Sequence, residues 1–209
     1  GVDKAMPVNE AKKEYYDCYI PMMNSPNLLG INGPKVKFPY ITPKKEYVEK
    51  WKEKLDKIAK GRPKIGIRWA GNPKFEHEQF RTIDPKLFMH LNKYGQLFSL
   101  QRDWGADWLP HNYNVYDLRD EMTSWEETLG ILANIDVLAS SCTSIVHAAG
   151  AINVPVCVMV PIASYFTWAV PGDKPDWYES VKIFRQEMLR SWEEPFERLN
   201  EHLKHNFAR

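Results

Sequence analysis

From residue 64 onward, short apolar and β-branched runs alternate with stretches of helical periodicity, and no other feature constrains this chain as strongly. A parallel sheet covered on both faces requires such a pattern, because its strands are buried on two sides and every crossover carries the chain back across the sheet. The runs at 64–69, 97–100, 114–118, 136–141, 154–160 and 181–185 predict six strands. Between them, Asp84-Pro85 opens a helix that ends near Gly95, and Ser124 with Glu127 forms a capping box. Thr143 to Ile152 predicts a short helix rich in alanine. Ser191 with Glu194 repeats the capping box ahead of a C-terminal helix whose Phe196, Leu199, Leu203 and Phe207 share one stripe. The expected fold class is α/β with a mainly parallel sheet. In such sheets the ligand lies beyond the carboxyl ends of the strands, so the loops after residues 69, 101, 141 and 160 are the ones to examine.

Residues 1–43 read differently. Pro7, Pro21, Pro26, Pro34, Pro39 and Pro43, with turn pairs at Asn24-Ser25 and Asn32-Gly33, predict an extended, wrapping segment. Thr42 then offers an N-cap with Pro43 at the first helical position, and Tyr47, Val48, Trp51, Leu55 and Ile58 recur at helical spacing up to Gly61. The expected division is 1–62, a connecting segment plus amphipathic helix, and 63–209, the α/β domain. With 28 Lys and Arg against 27 Asp and Glu, the chain lacks the cationic excess of a dedicated nucleic-acid or anionic-membrane binder. It has no apolar run long enough to span a membrane and no signal peptide, so a cytoplasmic location is expected. Cys18, Cys142 and Cys157 are too scattered for a disulfide framework and are expected to be reduced thiols. The chain opens on Gly1 rather than Met, so the natural protein is expected to continue upstream.

Four places can carry chemistry. After the first strand, Gly71-Asn72-Pro73 begins a polar loop through Glu76, His77 and Glu78 to Arg81-Thr82, which can approach a phosphate closely or form a plain turn. Neither a P-loop nor a GxGxxG pattern is present. Thr143 and Ser144 stand where a buried strand gives way to a helix, and a helix N-terminus with added hydroxyls suits a diphosphate. His147, four residues after Thr143, can contact a phosphate or sugar oxygen; alternatively, Thr143 merely caps the helix and His147 is a hydrogen-bonded core residue. Cys142 paired with His147 is a weak nucleophile arrangement. Gln101 and Arg102 end the second strand at the same sheet edge, as ligand contacts or as a solvated turn. Tyr165, Phe166, Trp168, Trp177 and Tyr178 can stack on a base or sugar, or form a satellite core or an interface. The pattern offers no metal-ligand spacing, and neither a metal nor a cofactor is expected.

The stretch from about Lys64 to Trp192 resembles the C-terminal half of bacterial glycosyltransferases of the heptosyltransferase-like group, particularly forms that follow tetratricopeptide repeats. The matching pieces are IGIRWAGNP (65–73), RTI (81–83), SLQ (99–101), DVLASSCTSIVHAAGAINVPVCVMVP (136–161) and YFTWAVPGDKPDWYESVKIFRQ (165–186). The resemblance implies a Rossmann-like, doubly wound domain, one half of the glycosyltransferase-B fold. It implies inverting, metal-independent transfer from a nucleotide-diphosphate sugar, with Gly71, Asn72 and Arg81 near the phosphates, Thr143 and Ser144 cradling the diphosphate, and Gln101 and His147 nearby. No catalytic base is assigned; His147 and Arg81 are supporting candidates. Two departures stand out. Many relatives carry an acidic residue where this chain has Cys142, and residues 1–63 are too few to form the acceptor-binding half. An upstream repeat or acceptor-binding domain is therefore an expected partner, with Trp51 or Trp168 exposed where it docks. The competing readings are a non-catalytic module that retains the fold and a thiol enzyme built on Cys142.

Overall fold

Strands form where the apolar runs predict them: β1 (Lys64–Arg68), β2 (Gln96–Ser99), β3 (Val115–Asp117), β4 (Val137–Ser141), β5 (Val156–Val160) and β6 (Val181–Arg185). The computed structural model describes residues 4–21, 24–30 and 37–207. The expected turn at Asn32-Gly33 and Pro34 lie outside those residues. All six strands pair in parallel in the order β3-β2-β1-β4-β5-β6, so the winding direction reverses between β1 and β4. Register places Ile65 opposite Leu97 on one side and opposite Val137 on the other.

Alternation along each strand divides the core into two layers. Leu138, Val156, Val158 and Val160 join Phe98 and Ile183 beneath one set of helices. Ile65, Ile67, Val137, Ala139, Cys157 and Met159 face the other set. The first layer is closed by α3 (Lys45–Ala59), α6 (Trp125–Leu132) and α7 (Ser144–Ala151), through Trp51, Leu55, Ile131 and Val146. The second is closed by α5 (Lys86–Met89) and α8 (Glu193–Phe207), through Phe88, Phe196, Leu199 and Leu203. Phe88 and Phe196 meet edge to face at 4.9 Å. This is a Rossmann-like α/β sheet covered on both faces.

The chain divides into two compact units, Gly1–Lys35 and Val36–Arg209. Helix α3, which the expected division placed before residue 62, buries Trp51 and Leu55 in the core of the second unit. The first unit is not wholly extended: α1 (Val8–Ala11) and α2 (Ser25–Leu28) are single turns closed by local bonds such as Ala11 N–H to Pro7 O, 3.0 Å. Its Tyr15 and Tyr19 stand 91% and 80% exposed.

Cap positions differ from expectation in two places. Lys44, not Thr42, is the N-cap of α3, and no side chain caps it. The Ser124 box is half made: Ser124 Oγ accepts the Glu127 N–H at 3.1 Å, but the Glu127 carboxylate turns to Lys50 and Trp51 instead. Ahead of α8, Ser191 donates to the Glu193 carboxylate and Glu194 pairs with Arg198, so the second box does not form as predicted. Trp51 and Trp168, expected to be exposed, are each only 2% exposed. Trp51 lies on the apolar stripe of α3, and its indole N–H reaches Glu127 on α6 at 2.6 Å. Among the described residues, no helix is long and apolar enough to cross a membrane.

Candidate functional site

The carboxyl ends of β1 and β4 meet at the switch in winding, and the loops that leave them build the site. After β1 the chain turns at Asn72, whose Oδ1 accepts the Lys74 N–H at 3.0 Å. It then enters the short helix α4 (Glu78–Arg81) and returns to the sheet, where Ile83 N–H bonds Trp69 O at 3.0 Å. The Glu78 carboxylate is 3% exposed and closes this loop from inside. It accepts the Gly71 N–H, Arg81 Nε at 2.6 Å and the Thr82 hydroxyl at 3.2 Å. The Arg81 guanidinium lies over the Phe75 ring at 4.6 Å and donates from Nη1 to the Cys142 carbonyl at 2.7 Å. A Cβ at Gly71 would sit 2.5 Å from Arg81 Nη2, so a larger residue there would have to displace the guanidinium.

The end of β4 supplies the second half. Thr143 is the N-cap of α7 with extended backbone, and its side chain makes no capping bond. Its Oγ1 is buried and has no partner among the described residues, although Thr143 is only 4% exposed. An unpartnered buried hydroxyl beside the free N–H groups of a helix start is uncommon in a folded chain. Ser144, the first residue of α7, is exposed.

Two clefts flank this helix start. One, of about 250 Å³, is lined by Arg68, Arg102, Asp103, Trp125, Thr128 and Ser144 among others. The other, of about 370 Å³, is lined by Phe75, His77, Arg81, Cys142, Tyr165 and Phe166 among others.

The remaining candidates lie elsewhere. Gln101 is fully buried; its Oε1 accepts the Trp69 and Ala70 N–H groups at 3.2 and 3.0 Å, and its Nε2 donates to Trp104 O at 2.7 Å. It braces the chain leaving β1 rather than facing a ligand. His147 lines neither cleft. Its Nδ1 is 2.9 Å from the Tyr178 hydroxyl and its ring stacks on Trp168 at 5.1 Å, so it occupies the aromatic cluster that the loop after β5 folds into the core. Desolvation holds its pKa below the ordinary histidine value, which keeps it neutral near pH 7. Asn72 is exposed in its turn.

Arg68 escaped the sequence reading, and Glu78 entered it only as part of the polar loop after the first strand. The available signals were a cation ending an otherwise apolar strand and an acid three residues before Arg81 on one helical turn. Among the described residues, no group of three His, Cys, Asp or Glu side chains could hold a metal.

Burial pushes the Cys142 thiol up to about 11, with Arg81 pulling weakly the other way, and pushes Cys157 up to about 12. Since the thiolate is the nucleophile, neither is reactive at neutral pH, and Cys142 has no His147 partner. Iodoacetamide at pH 8 is therefore expected to label exposed Cys18 quickly and the other two only after unfolding. Rapid labelling of Cys142 in the folded protein would revive the thiol-enzyme reading.

No family model matches the sequence, and no curated protein matches it significantly. Solved structures do. The ADP-heptose LPS heptosyltransferase II of E. coli superposes with a TM-score of 0.54 at 14% identity, over 84% of this chain and 56% of that one. A glycosyl transferase of family 9 from Veillonella parvula gives 0.54 at 9% identity, over 77% of this chain and 46% of that one. The chain thus shares the α/β fold found in these glycosyltransferases and spans about half of their length.

Proposed function

We propose that the second unit binds the nucleotide-diphosphate sugar donor of an inverting, metal-independent glycosyl transfer, with the diphosphate at the start of α7. One observation carries this reading: the buried Thr143 hydroxyl has no partner among the described residues and stands at a helix N-terminus that no side chain caps, at the reversal point of the sheet. Such a position offers N–H groups, a hydroxyl donor and a positive dipole end to one anion. The leaving nucleotide diphosphate gains negative charge as the glycosidic bond breaks, so fixed dipoles aimed there would favour departure without a metal. The two clefts leave room for the nucleoside and the sugar on either side of the diphosphate. The general base and the acceptor site belong, in this reading, to a further domain.

A non-catalytic module on the same fold is the competing reading, favoured by the full internal pairing of Glu78 with Arg81 and Gly71. Calorimetric titration with nucleoside diphosphates and nucleotide sugars separates the two. Micromolar or tighter binding that falls about 10- to 100-fold in Thr143→Ala is expected, the worth of one hydrogen bond to a charged group. The same variant should melt within a degree or two of the parent, since the hydroxyl makes no bond among the described residues. Absence of binding to every nucleotide would favour the module.

A further inference from the structure

We infer that Arg68, rather than Arg81, supplies the positive charge for the anion held at the start of α7. The inference rests on the reading above and names its counter-charge. Arg68 ends β1 and Arg81 ends α4 in the loop that follows it, and the fold treats the two differently. Arg81 is already neutralised: its Nε meets the buried Glu78 carboxylate at 2.6 Å, and its Nη1 is spent on the Cys142 carbonyl. A guanidinium so paired has little to gain from a second anion.

Arg68 ends β1, the strand beside β4 at the winding reversal, with Ser140 as its register partner. Its Nε and Nη1 donate to the Ala70 and Leu100 carbonyls at 3.2 and 3.0 Å, both neutral acceptors. Among the described residues, no carboxylate lies within the 4.0 Å of an ion pair, and Nη2 has no protein partner. The guanidinium is partly buried, and desolvation lowers its pKa from the ordinary arginine value. It has lost water without gaining a counter-ion, a state that an incoming anion relieves.

The surrounding charges are balanced. Asp103 and Glu78 attract Arg68 and Arg81 repels it, while Arg102 shares the cleft wall with Asp103. The same 250 Å³ cleft is lined by Ser144, so Arg68 and the helix start open on one space, with Arg102 on its wall. The two carbonyl bonds fix the plane of the guanidinium and leave the Nη2 hydrogens, with the second hydrogen of Nη1, to donate to phosphate oxygens.

Inorganic pyrophosphate is the probe, titrated calorimetrically into the whole chain at low and moderate salt. Arg68→Met is expected to weaken binding about 30-fold or more, and Arg68→Lys about 10-fold, since lysine keeps the charge but not the fork. The paired replacement Glu78→Gln with Arg81→Met, which removes both charges together, is expected to weaken binding less than Arg68→Met does. Equal loss in the paired variant, or undiminished binding in Arg68→Met, overturns the assignment to Arg68 and leaves the donor-site reading standing. A parent protein that binds neither pyrophosphate nor any nucleoside diphosphate overturns both. Should Arg68→Met melt below the assay temperature, Arg68→Lys decides: parental affinity in that variant counts against the forked contact.

Discussion

Trp51→Ala is expected to remove about 3–5 kcal/mol of stability, the cost typical of deleting a buried tryptophan. Trp51 is 2% exposed, and its indole N–H donates to Glu127 Oε2 at 2.6 Å. The other oxygen of that carboxylate holds Lys50 at 2.6 Å, so one side chain of α6 grips two successive residues of α3. Truncation removes the ring from the core layer it shares with Leu55 and Ile131 and leaves half of the Glu127 carboxylate without its donor. At roughly 2–4 °C per kcal/mol for a domain of this size, the melting temperature should fall by about 10 °C. Trp51→Phe keeps most of the volume and should cost about 1.5–3 kcal/mol, the worth of one hydrogen bond to a charged group. If chemical denaturation shows Trp51→Ala within about 1 kcal/mol of the parent, α3 is not docked on α6 as described, and the division of the chain after Lys35 loses its energetic support.

The second large effect is placed at the centre of the sheet. Leu138→Ala is expected to cost about 2–5 kcal/mol, the sum of lost transfer energy and a residual cavity. Leu138 is fully buried on β4 and pairs with Gly66 of β1 and Val156 of β5. Two strands with no free edge leave the cavity little chance to collapse. Gly66 sharpens the test, because a Cβ there would meet Leu100 Cδ1 at 2.8 Å and Leu138 Cδ1 at 3.2 Å. Gly66→Ala alone should therefore overpack the layer, by about 1–3 kcal/mol. Combined with Leu138→Ala, the new methyl enters space that the leucine has vacated, although Leu100 still crowds it. The double variant should be more stable than the sum of the single losses by about 1 kcal/mol. Strict additivity would mean that the two side chains do not share the space between β1 and β4.

Legibility of the site followed the range of the interactions involved. The start of α7 at Thr143 was readable because strand, hydroxyl and small-residue helix follow one another within a dozen residues. The role of Gln101 was not, since its partners Trp69 and Ala70 lie more than thirty residues away, across the β1–β2 pair. His147 shows the same limit: spacing put it on a helix face with Thr143, yet the loop after β5 returns Trp168 and Tyr178 to cover it. Arg81 had a motif and Arg68 had none, but pairing with Glu78 depends on how the loop after β1 closes.

By itself, the sequence determined the α/β class, the six strands, the helical stripes and the start of α7. Each of these rests on periodicity and capping within a few residues, where covalent proximity brings the groups together in any compact state. Only the tertiary structure decided the strand order, the burial of Trp51 and Trp168, and that Arg81 rather than Arg68 holds a carboxylate. Those outcomes depend on contacts between groups distant along the chain, and burial or charge pairing has no value until a partner has been brought alongside.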